Sequence, residues 1–248
     1  MPRILTYNVH RCVGTDRKLD VGRIADVIAA LEPDIVALQE LDVGRSRTGG
    51  VDQAHEIARR LGMGFRFHPA LVVEDELYGD AILTALPERL IRAAALPGYP
   101  RITRLEPRGA LWIAVDIRGK TVNIINTHLG LVPAEQRLQA TALSGHTWLA
   151  DPRCTGPTVL LGDFNATEGS GVYRTLTAKL TPARKLVATN INTATFPSGL
   201  PLLAIDHVFV SREIAVQQVT VPRSTQLRVA SDHLPLVVDF NLKTSDAG

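Results

Sequence analysis

Short apolar runs that are rich in β-branched residues recur along this chain, and they most constrain what it can fold into. Eight of them predict β-strands, at 3–8, 34–40, 80–85, 111–117, 121–128, 158–163, 205–210 and 236–242. Several, such as residues 35–38, are apolar at every position, which is typical of strands covered on both faces. The pattern therefore predicts sheets that lie between other layers of structure.

Apolar residues at intervals of three and four predict helices between some of these strands. The first helix follows the N-cap candidate Asp20, the second ends at Gly62, the third begins at Pro133, and a weaker fourth covers 172–180. These helices are too few to separate every pair of strands, so hairpins must join the rest, for example 110–117 with 121–128. We therefore predict mixed sheets with helices outside them, and not a doubly wound fold.

The composition of the 248 residues limits both the organisation and the partners of the chain. We expect one domain over residues 1–248, because neither a repeat nor a linker-like stretch interrupts the pattern. The net charge of +2 is low for a protein that binds nucleic acid, no apolar run is long enough to span a membrane, and nothing indicates a protein partner. With only Cys12 and Cys154 and no secretory signal, the chain is expected to be cytoplasmic with free thiols.

Polar side chains stand at the ends of the predicted strands, where they could meet at one rim of the sheets. These strand-end residues are Asn8, Glu40, His128, Asp163, Asn165, Asp206, Asp232 and His233. Any one of them alone would more often be a turn residue, a cap or a hydrogen-bonded core histidine. Six such strand ends in one chain indicate a shared site instead. Hard oxygen ligands such as Glu40 and Asp232 suit Mg²⁺ or Mn²⁺ better than a thiolate-seeking metal.

The same residues carry a resemblance to the endonuclease/exonuclease/phosphatase superfamily. It extends from Thr6-Tyr7-Asn8 to Ser231-Asp232-His233-Leu234-Pro235, through Leu38-Gln39-Glu40, Asn126-Thr127-His128-Leu129, Gly162-Asp163-Phe164-Asn165 and Ile205-Asp206-His207. The resemblance implies an α+β fold of the deoxyribonuclease I type. This is a four-layer α/β/β/α sandwich, in which two packed mixed sheets are flanked by helices.

The resemblance also implies a role for each strand-end residue. Glu40 would be the principal ligand of Mg²⁺ or Mn²⁺, with Asn8 and Asp232 binding the metal directly or through water. Asp163 would orient or deprotonate the attacking water. The residues that face the phosphate would be His128, Asn165 and His233, and Asp206 would orient His233. Phosphoryl transfer depends on charge neutralisation and an in-line nucleophile, which this division of roles supplies. We further expect Asn8 and Glu40 to come from one sheet, and Asp206 and His233 from the other.

Two positions depart from the pattern of the superfamily. His10 stands where nucleases often carry an acidic ligand, and Asp80 stands where an asparagine usually faces the phosphate. A carboxylate at that place would repel the phosphate unless it is protonated, bound to metal or turned away. Arg108, which begins a predicted strand, is a further candidate for binding the substrate.

The substrate is the least determined property of the chain. With 5% aromatic residues and little net charge, the sequence favours a lipid-type or small phosphodiester over duplex DNA. We therefore predict a metal-dependent phosphodiesterase that uses in-line attack of water. Two alternatives stay open: a DNA endonuclease or exonuclease of the same superfamily, and a non-catalytic phosphate-binding module.

Overall fold

The computed structural model describes residues 1–188 and 192–243 and contains two six-stranded mixed sheets. The strands are β1 (Arg3–Asn8), β2 (Ile35–Val43), β3 (Gly64–Val73), β4 (Glu76–Thr84), β5 (Glu88–Ala95), β6 (Gly109–Ile117), β7 (Lys120–His128), β8 (Thr158–Asp163), β9 (Thr181–Pro182), β10 (Asp206–Val210), β11 (Ile214–Thr220) and β12 (Leu236–Leu242). The first sheet has the order β11-β12-β1-β2-β4-β3, and the second has the order β5-β6-β7-β8-β10-β9.

Three apolar cores separate four layers, as the sequence predicts. The central core joins the two sheets, with Ile4 of β1 and Ile124 of β7 in one cluster. A second core packs the first sheet against α1 (Val21–Ala29), α2 (Gln53–Leu61) and α5 (Thr225–Ala230). A third core packs the second sheet against α3 (Pro133–Ser144) and α4 (Gly171–Thr177). The α/β/β/α sandwich is confirmed, because each sheet buries one face against its partner and the other against helices.

The local signals for the helices are confirmed at their termini. The Asp20 carboxylate accepts the backbone N–H of Arg23 and caps α1, and Gly62 ends α2 in the left-handed conformation. Pro133 occupies the first turn of α3. The helix predicted at 172–180 is shorter, since α4 ends at Thr177. In the described residues, no helix combines the length and the apolar character that crossing a membrane requires.

Four strands and one helix were missed by the sequence pattern. The strands are β3, β5, β9 and β11, and the helix is α5. Every position of β3 and β5 is half-buried or exposed, so neither strand is covered on both faces. β3, β5, β9 and β11 also all lie at or beside the edge of a sheet. Such strands depend on their neighbours for pairing more than on their own composition.

The two sheets are not built from the two halves of the chain. β12, the last strand, pairs antiparallel with β1, with Thr6 opposite Leu236. His233 precedes β12 and therefore comes from the first sheet, so the expectation that it shares a sheet with Asp206 is wrong. Asp206 begins β10 of the second sheet. The chain passes from β10 of the second sheet to β11 of the first, and this connection returns the C-terminal segment to the N-terminal sheet.

Candidate active site

The second sheet places three site residues side by side at one end of the sandwich, which we call the site end. β7 and β8 run parallel, and their last residues His128 and Asp163 are in register. β10 runs antiparallel to β8, so its first residue, Asp206, lies opposite Asp163. Strand pairing alone therefore brings together residues that are 35 or more positions apart in the sequence. His128, Asp163 and Asp206 are all buried.

The first sheet adds Asn8 and Glu40 to the same end. Glu40 lies at a β-bulge in β2, where the pairing with β4 shifts between Leu38 and Leu41, and it has a positive φ of 61°. The bulge turns Glu40 away from the alternation of the strand and towards Asn8. The Asn8 amide donates to Glu40 Oε1 and to Asp163 Oδ2, each at 3.0 Å. Asn8 therefore connects the two sheets, while its own oxygen accepts the backbone N–H of His10.

Asp206 and His233 form a hydrogen-bonded pair across the two sheets. His233 Nδ1 lies 2.8 Å from Asp206 Oδ2, and the Thr195 hydroxyl donates to the same oxygen at 2.5 Å. The Phe196 ring packs on the imidazole with centroids 4.9 Å apart. Burial lowers the pKa of His233, but the carboxylate of Asp206, followed by those of Asp163 and Asp232, more than offsets it and raises the pKa to about 10. The ring is therefore a cation whose Nε2 is left to face Asp163.

His128 is held in the opposite charge state by Arg108. The guanidinium Nη1 lies 3.1 Å from His128 Nδ1, and both side chains are buried. A guanidinium only donates hydrogen bonds, so Nδ1 must accept and the ring proton must sit on Nε2. Burial lowers the pKa of His128 well below its usual value, and the charges of Arg108 and His233 lower it further. His128 thus offers a neutral Nε2–H towards Asp163, whereas the Asn165 amide nitrogen that lies 3.0 Å from Nε2 is itself a donor.

Asp163 is the centre of the arrangement. Its Oδ2 lies 3.6 Å from His128 Nε2 and 3.7 Å from His233 Nε2, and its Oδ1 accepts the backbone N–H of Asn165 at 2.8 Å. Burial raises the pKa of Asp163 to about 7, and the neighbouring Asp206 adds to this shift. Asn165 has a positive φ of 48°, and its amide donates to the Leu129 carbonyl at 3.0 Å beside His128 Nε2. The Asn8 amide, the Asn165 backbone N–H and both imidazoles therefore surround one carboxylate.

The two departures from the superfamily pattern lie in different environments. Asp80 is buried, and burial raises its pKa to about 8 although Arg108 and the backbone N–H of Glu40 both lower it. The Asp80 carboxyl group is therefore protonated at neutral pH, and in that state it does not repel a phosphate. His10 is half-buried, and its Nδ1 lies 3.9 Å from Asp232 Oδ1.

The site contains more carboxylates than its own cations neutralise locally, which fits a divalent metal. The Glu40 and Asp163 carboxylates share one amide donor, and Asp206 Oδ1 is buried with no hydrogen-bond partner among the described residues. Asp163, Asp206 and His233 also offer one ligand atom each within 4.8 Å of one another. His233 Nδ1 is already bonded to Asp206 and is therefore not free to bind a metal ion. The carboxylate oxygen atoms of Glu40 and Asp232 are harder ligands with fewer hydrogen bonds, so they are the better candidates. Asp232 is half-buried beside His10.

Four contributing residues were not foreseen from the sequence. Thr195 and Phe196 support the Asp206–His233 pair from the segment before β10, where no periodic pattern marks them. Beneath the site, Gln39 donates to Asn126 Oδ1 at 2.7 Å and thereby links the sheets. Gln39 precedes Glu40 and Asn126 lies two residues before His128, so their place inside the site motifs was the one available signal.

Comparisons with known proteins agree with this architecture. A family model described as "Endonuclease/Exonuclease/phosphatase family" matches residues 5–233. The uncharacterized protein YbhP of Escherichia coli K12 is 26% identical over 258 residues, covering 97% of this chain and 96% of YbhP.

Several solved structures share the fold of the chain. An endonuclease/exonuclease/phosphatase from Bacteroides vulgatus aligns with a TM-score of 0.78 at 21% identity, covering 98% of this chain and 99% of its own. A mannosyl-6-phosphatase from Bacteroides thetaiotaomicron VPI-5482 has a TM-score of 0.78 at 18% identity, covering 98% and 100%. The human Nocturnin catalytic domain, solved with a bound sulfate anion, has a TM-score of 0.74 at 22% identity, covering 98% and 93%.

Proposed function

The chain belongs to the endonuclease/exonuclease/phosphatase family, and from this membership we propose that it is a divalent-metal-dependent phosphodiesterase that uses in-line attack of water. Members of the family are hydrolases of phosphate esters. We further propose that residues 1–248 act as one domain and that the protein works in the cytoplasm.

The observation that carries the proposal is the set of donor groups around the Asp163 carboxylate. An amide from the first sheet, two imidazoles and a backbone N–H all lie within 3.7 Å of its two oxygens. A carboxylate held in this way is positioned to orient a water molecule and to accept its proton. The donors around the carboxylate are placed to stabilise the negative charge that develops on phosphoryl oxygens.

The donors differ in charge, which divides their roles. His233 is a buried cation, fixed by Asp206, and suits the oxygen with the greatest negative charge. His128 is neutral and donates through Nε2, and Asn165 donates through its amide. Arg108 sets the tautomer of His128 and adds positive charge behind the ring. We therefore assign Arg108 to substrate binding, both by direct contact and by its effect on His128.

Glu40 and Asp232 would hold Mg²⁺ or Mn²⁺, and Asn8 would position Glu40 through its amide. When bound, the ion would act as a Lewis acid on the phosphate and lower the pKa of bound water. Asn8 presents nitrogen to Glu40, because its oxygen is bonded to the backbone of His10. An indirect role for Asn8 is therefore favoured over direct ligation.

A small or lipid-type phosphodiester remains the proposed substrate, and a nuclease activity is the second candidate. The hydrogen-bonded pair of Asp206 and His233 argues against a non-catalytic phosphate-binding module, because binding alone does not require a carboxylate that fixes the orientation of an imidazolium.

The test is a screen of phosphodiesters, phosphomonoesters, phospholipids and nucleic acids in Mg²⁺ or Mn²⁺, with His233→Ala as the blank. We expect metal-dependent turnover of a phosphodiester that the blank lacks. Preferred cleavage of duplex or single-stranded DNA would establish the nuclease instead. Phosphate binding without turnover of any ester would leave the binding module as the correct description.

A further inference from the structure

The most exposed large apolar side chains of the described residues are three leucines on two loops at the site end. Leu131 is 72% exposed, Leu202 is 70% exposed and Leu200 is 67% exposed. Single exposed leucines are ordinary on protein surfaces, but these three lie beside one polar site. Their position relative to the histidines therefore decides whether the three leucines form a functional surface.

Both loops are anchored to the catalytic histidines. Leu131 follows His128 by three residues, between the end of β7 and the start of α3. Leu200 and Leu202 lie in the turn 196–203, which begins at Phe196 against the His233 ring. That turn is tied down, because Ser198 N–H donates to the Asp232 carbonyl at 2.7 Å and Leu202 N–H donates to the Phe196 carbonyl at 2.9 Å.

One leucine loop therefore starts beside His128, and the other starts beside His233. The two imidazoles approach the same Asp163 oxygen at 3.6 and 3.7 Å, and each carries a leucine loop with it. A phosphate held between the imidazoles would therefore lie at the base of both loops that carry exposed leucines. A ligand that matches both features must combine a phosphate with an apolar part.

Positive charge accompanies these leucines. Arg228 is exposed and donates to the Gly199 carbonyl at 2.6 Å, within the turn that carries Leu200. On the loop between β5 and β6, Arg101 and Arg104 are exposed and flank Ile102, which is 43% exposed. Apolar side chains among exposed cations are the composition that binds the surface of an anionic bilayer.

We propose that the site end docks on an anionic lipid surface and that the substrate is a phosphodiester in the headgroup of a lipid. This inference rests on the proposed function and names its substrate class. The leucines enter the apolar boundary of the surface, and the arginines contact neighbouring anionic headgroups. Water adds its oxygen to phosphorus, the P–O bond to one alcohol breaks, and the proton released by the water ends on that alcohol, which leaves a phosphomonoester.

Docking is measured by sedimentation with vesicles of equal parts phosphatidylglycerol and phosphatidylcholine, in EDTA so that no turnover occurs. The variant Leu131→Ser/Leu202→Ser should bind at least about tenfold more weakly than the wild type, since two leucine side chains no longer leave water. The control Leu90→Ser/Leu138→Ser changes two exposed leucines, 47% and 40% exposed, on β5 and α3. It should bind within about twofold of wild type, and melting curves establish that both variants are folded.

Several outcomes would overturn docking: no binding of the wild type to these vesicles, equal binding by the site variant, or equal loss in the control. Binding of a single-stranded oligonucleotide that the same two substitutions weaken would point to nucleic acid instead. The proposed function is tested separately, by hydrolysis of soluble bis(4-nitrophenyl) phosphate by the wild type in Mg²⁺. Hydrolysis without vesicle binding removes only the docking surface, whereas vesicle binding without hydrolysis of any ester removes the proposed function.

Discussion

Individual side chains at the site act in pairs whose members fix each other's charge or orientation. Asp206 and His233 share a 2.8 Å hydrogen bond, and Arg108 and His128 approach each other at 3.1 Å. One imidazole is thereby made a cation and the other a neutral donor, although both are buried within 4 Å of the same carboxylate. Environment, and not residue type, assigns their chemistry.

The Asp206–His233 pair should behave as one unit in kinetics. In His233→Ala, kcat should fall by about 10²-fold or more while KM changes less, because a charge-stabilising group is lost from the transition state. Asp206→Asn should lower kcat in the same direction, and the double variant should be little worse than the worse single variant. Steady-state kinetics on folded protein measure this, with the exposed His146→Ala as control. Additive losses in the double variant would mean that the two residues act independently.

His207 should make the stability of the fold sensitive to acid. It is buried, its Nε2 lies 2.7 Å from the Ala166 carbonyl, and burial lowers its pKa from 6.5 to about 4. The unfolded chain therefore binds more protons between these pH values, so stability is fully present above about pH 6.5 and is lost as the pH falls through 4. The loss amounts to about 3 kcal/mol.

His207→Gln keeps a donor for the Ala166 carbonyl but cannot take up a proton. Its free energy of unfolding, measured by urea denaturation, should therefore fall less than that of the wild type between pH 7 and pH 4. His146→Gln, which changes an exposed histidine, should keep the pH dependence of the wild type. Parallel curves for His207→Gln and the wild type would show that His207 is not the source.

At the scale of elements, the site depends on irregular points in otherwise regular strands. Glu40 is placed by a bulge in β2, and Asp163 follows Gly162, whose φ is 141°. A Cβ atom at Gly162 would overlap the Thr127 carbonyl oxygen on β7. The close approach of β7 and β8 at this point brings His128 and Asp163 into register.

Gly162→Ala should therefore destabilise the protein by roughly 3 kcal/mol or more, because backbone must move to make room. The matched control is Gly156→Ala, since Gly156 also has a positive φ, 79°, but has no atom within 4 Å of a built Cβ. That control should lose about 1 kcal/mol, the conformational cost alone. Urea denaturation measures both. Equal losses would mean that conformation, and not the contact with β7, requires the glycine.

At the scale of the whole molecule, the site lies on the seam between the sheets. Asn8 and Glu40 come from the first sheet, and Asp163 and Asp206 come from the second. Below them, the buried Gln39 and Asn126 pair across the same seam. A cation that neutralises carboxylates from both sheets would stabilise the sandwich as a unit, since it binds only the folded chain.

Mg²⁺ should therefore raise Tm, and EDTA should remove the increase. At a hundredfold excess over Kd the stabilisation is about 2.7 kcal/mol, which thermal melts detect easily. Glu40→Gln should lose most of the shift, whereas Glu213→Gln, directly before β11 and away from the site end, should keep it. An undiminished shift in Glu40→Gln would place the cation on other ligands, such as Asp163 and Asp206.

The sequence by itself determined the layers and marked the polar residues at the strand ends. Continuous apolar runs require strands covered on both faces, and caps such as Asp20 and Gly62 end helices by local hydrogen bonds and local backbone conformation. The polar residues at strand ends could be named in advance, because a metal ion or phosphate needs donors that interrupt an apolar pattern. Their individual roles stay predictions until kinetics test them.

Only the tertiary structure decided how these residues combine. The return of β12 to pair with β1 puts His233 on the first sheet, and Thr195 reaches Asp206 from a segment without a periodic pattern. Edge strands such as β3 were not predicted from the sequence, because they form by pairing with a neighbouring strand and depend less on their own residues. Charge state likewise depends on burial and on partners distant in sequence, which is why one histidine became a cation and the other a neutral donor.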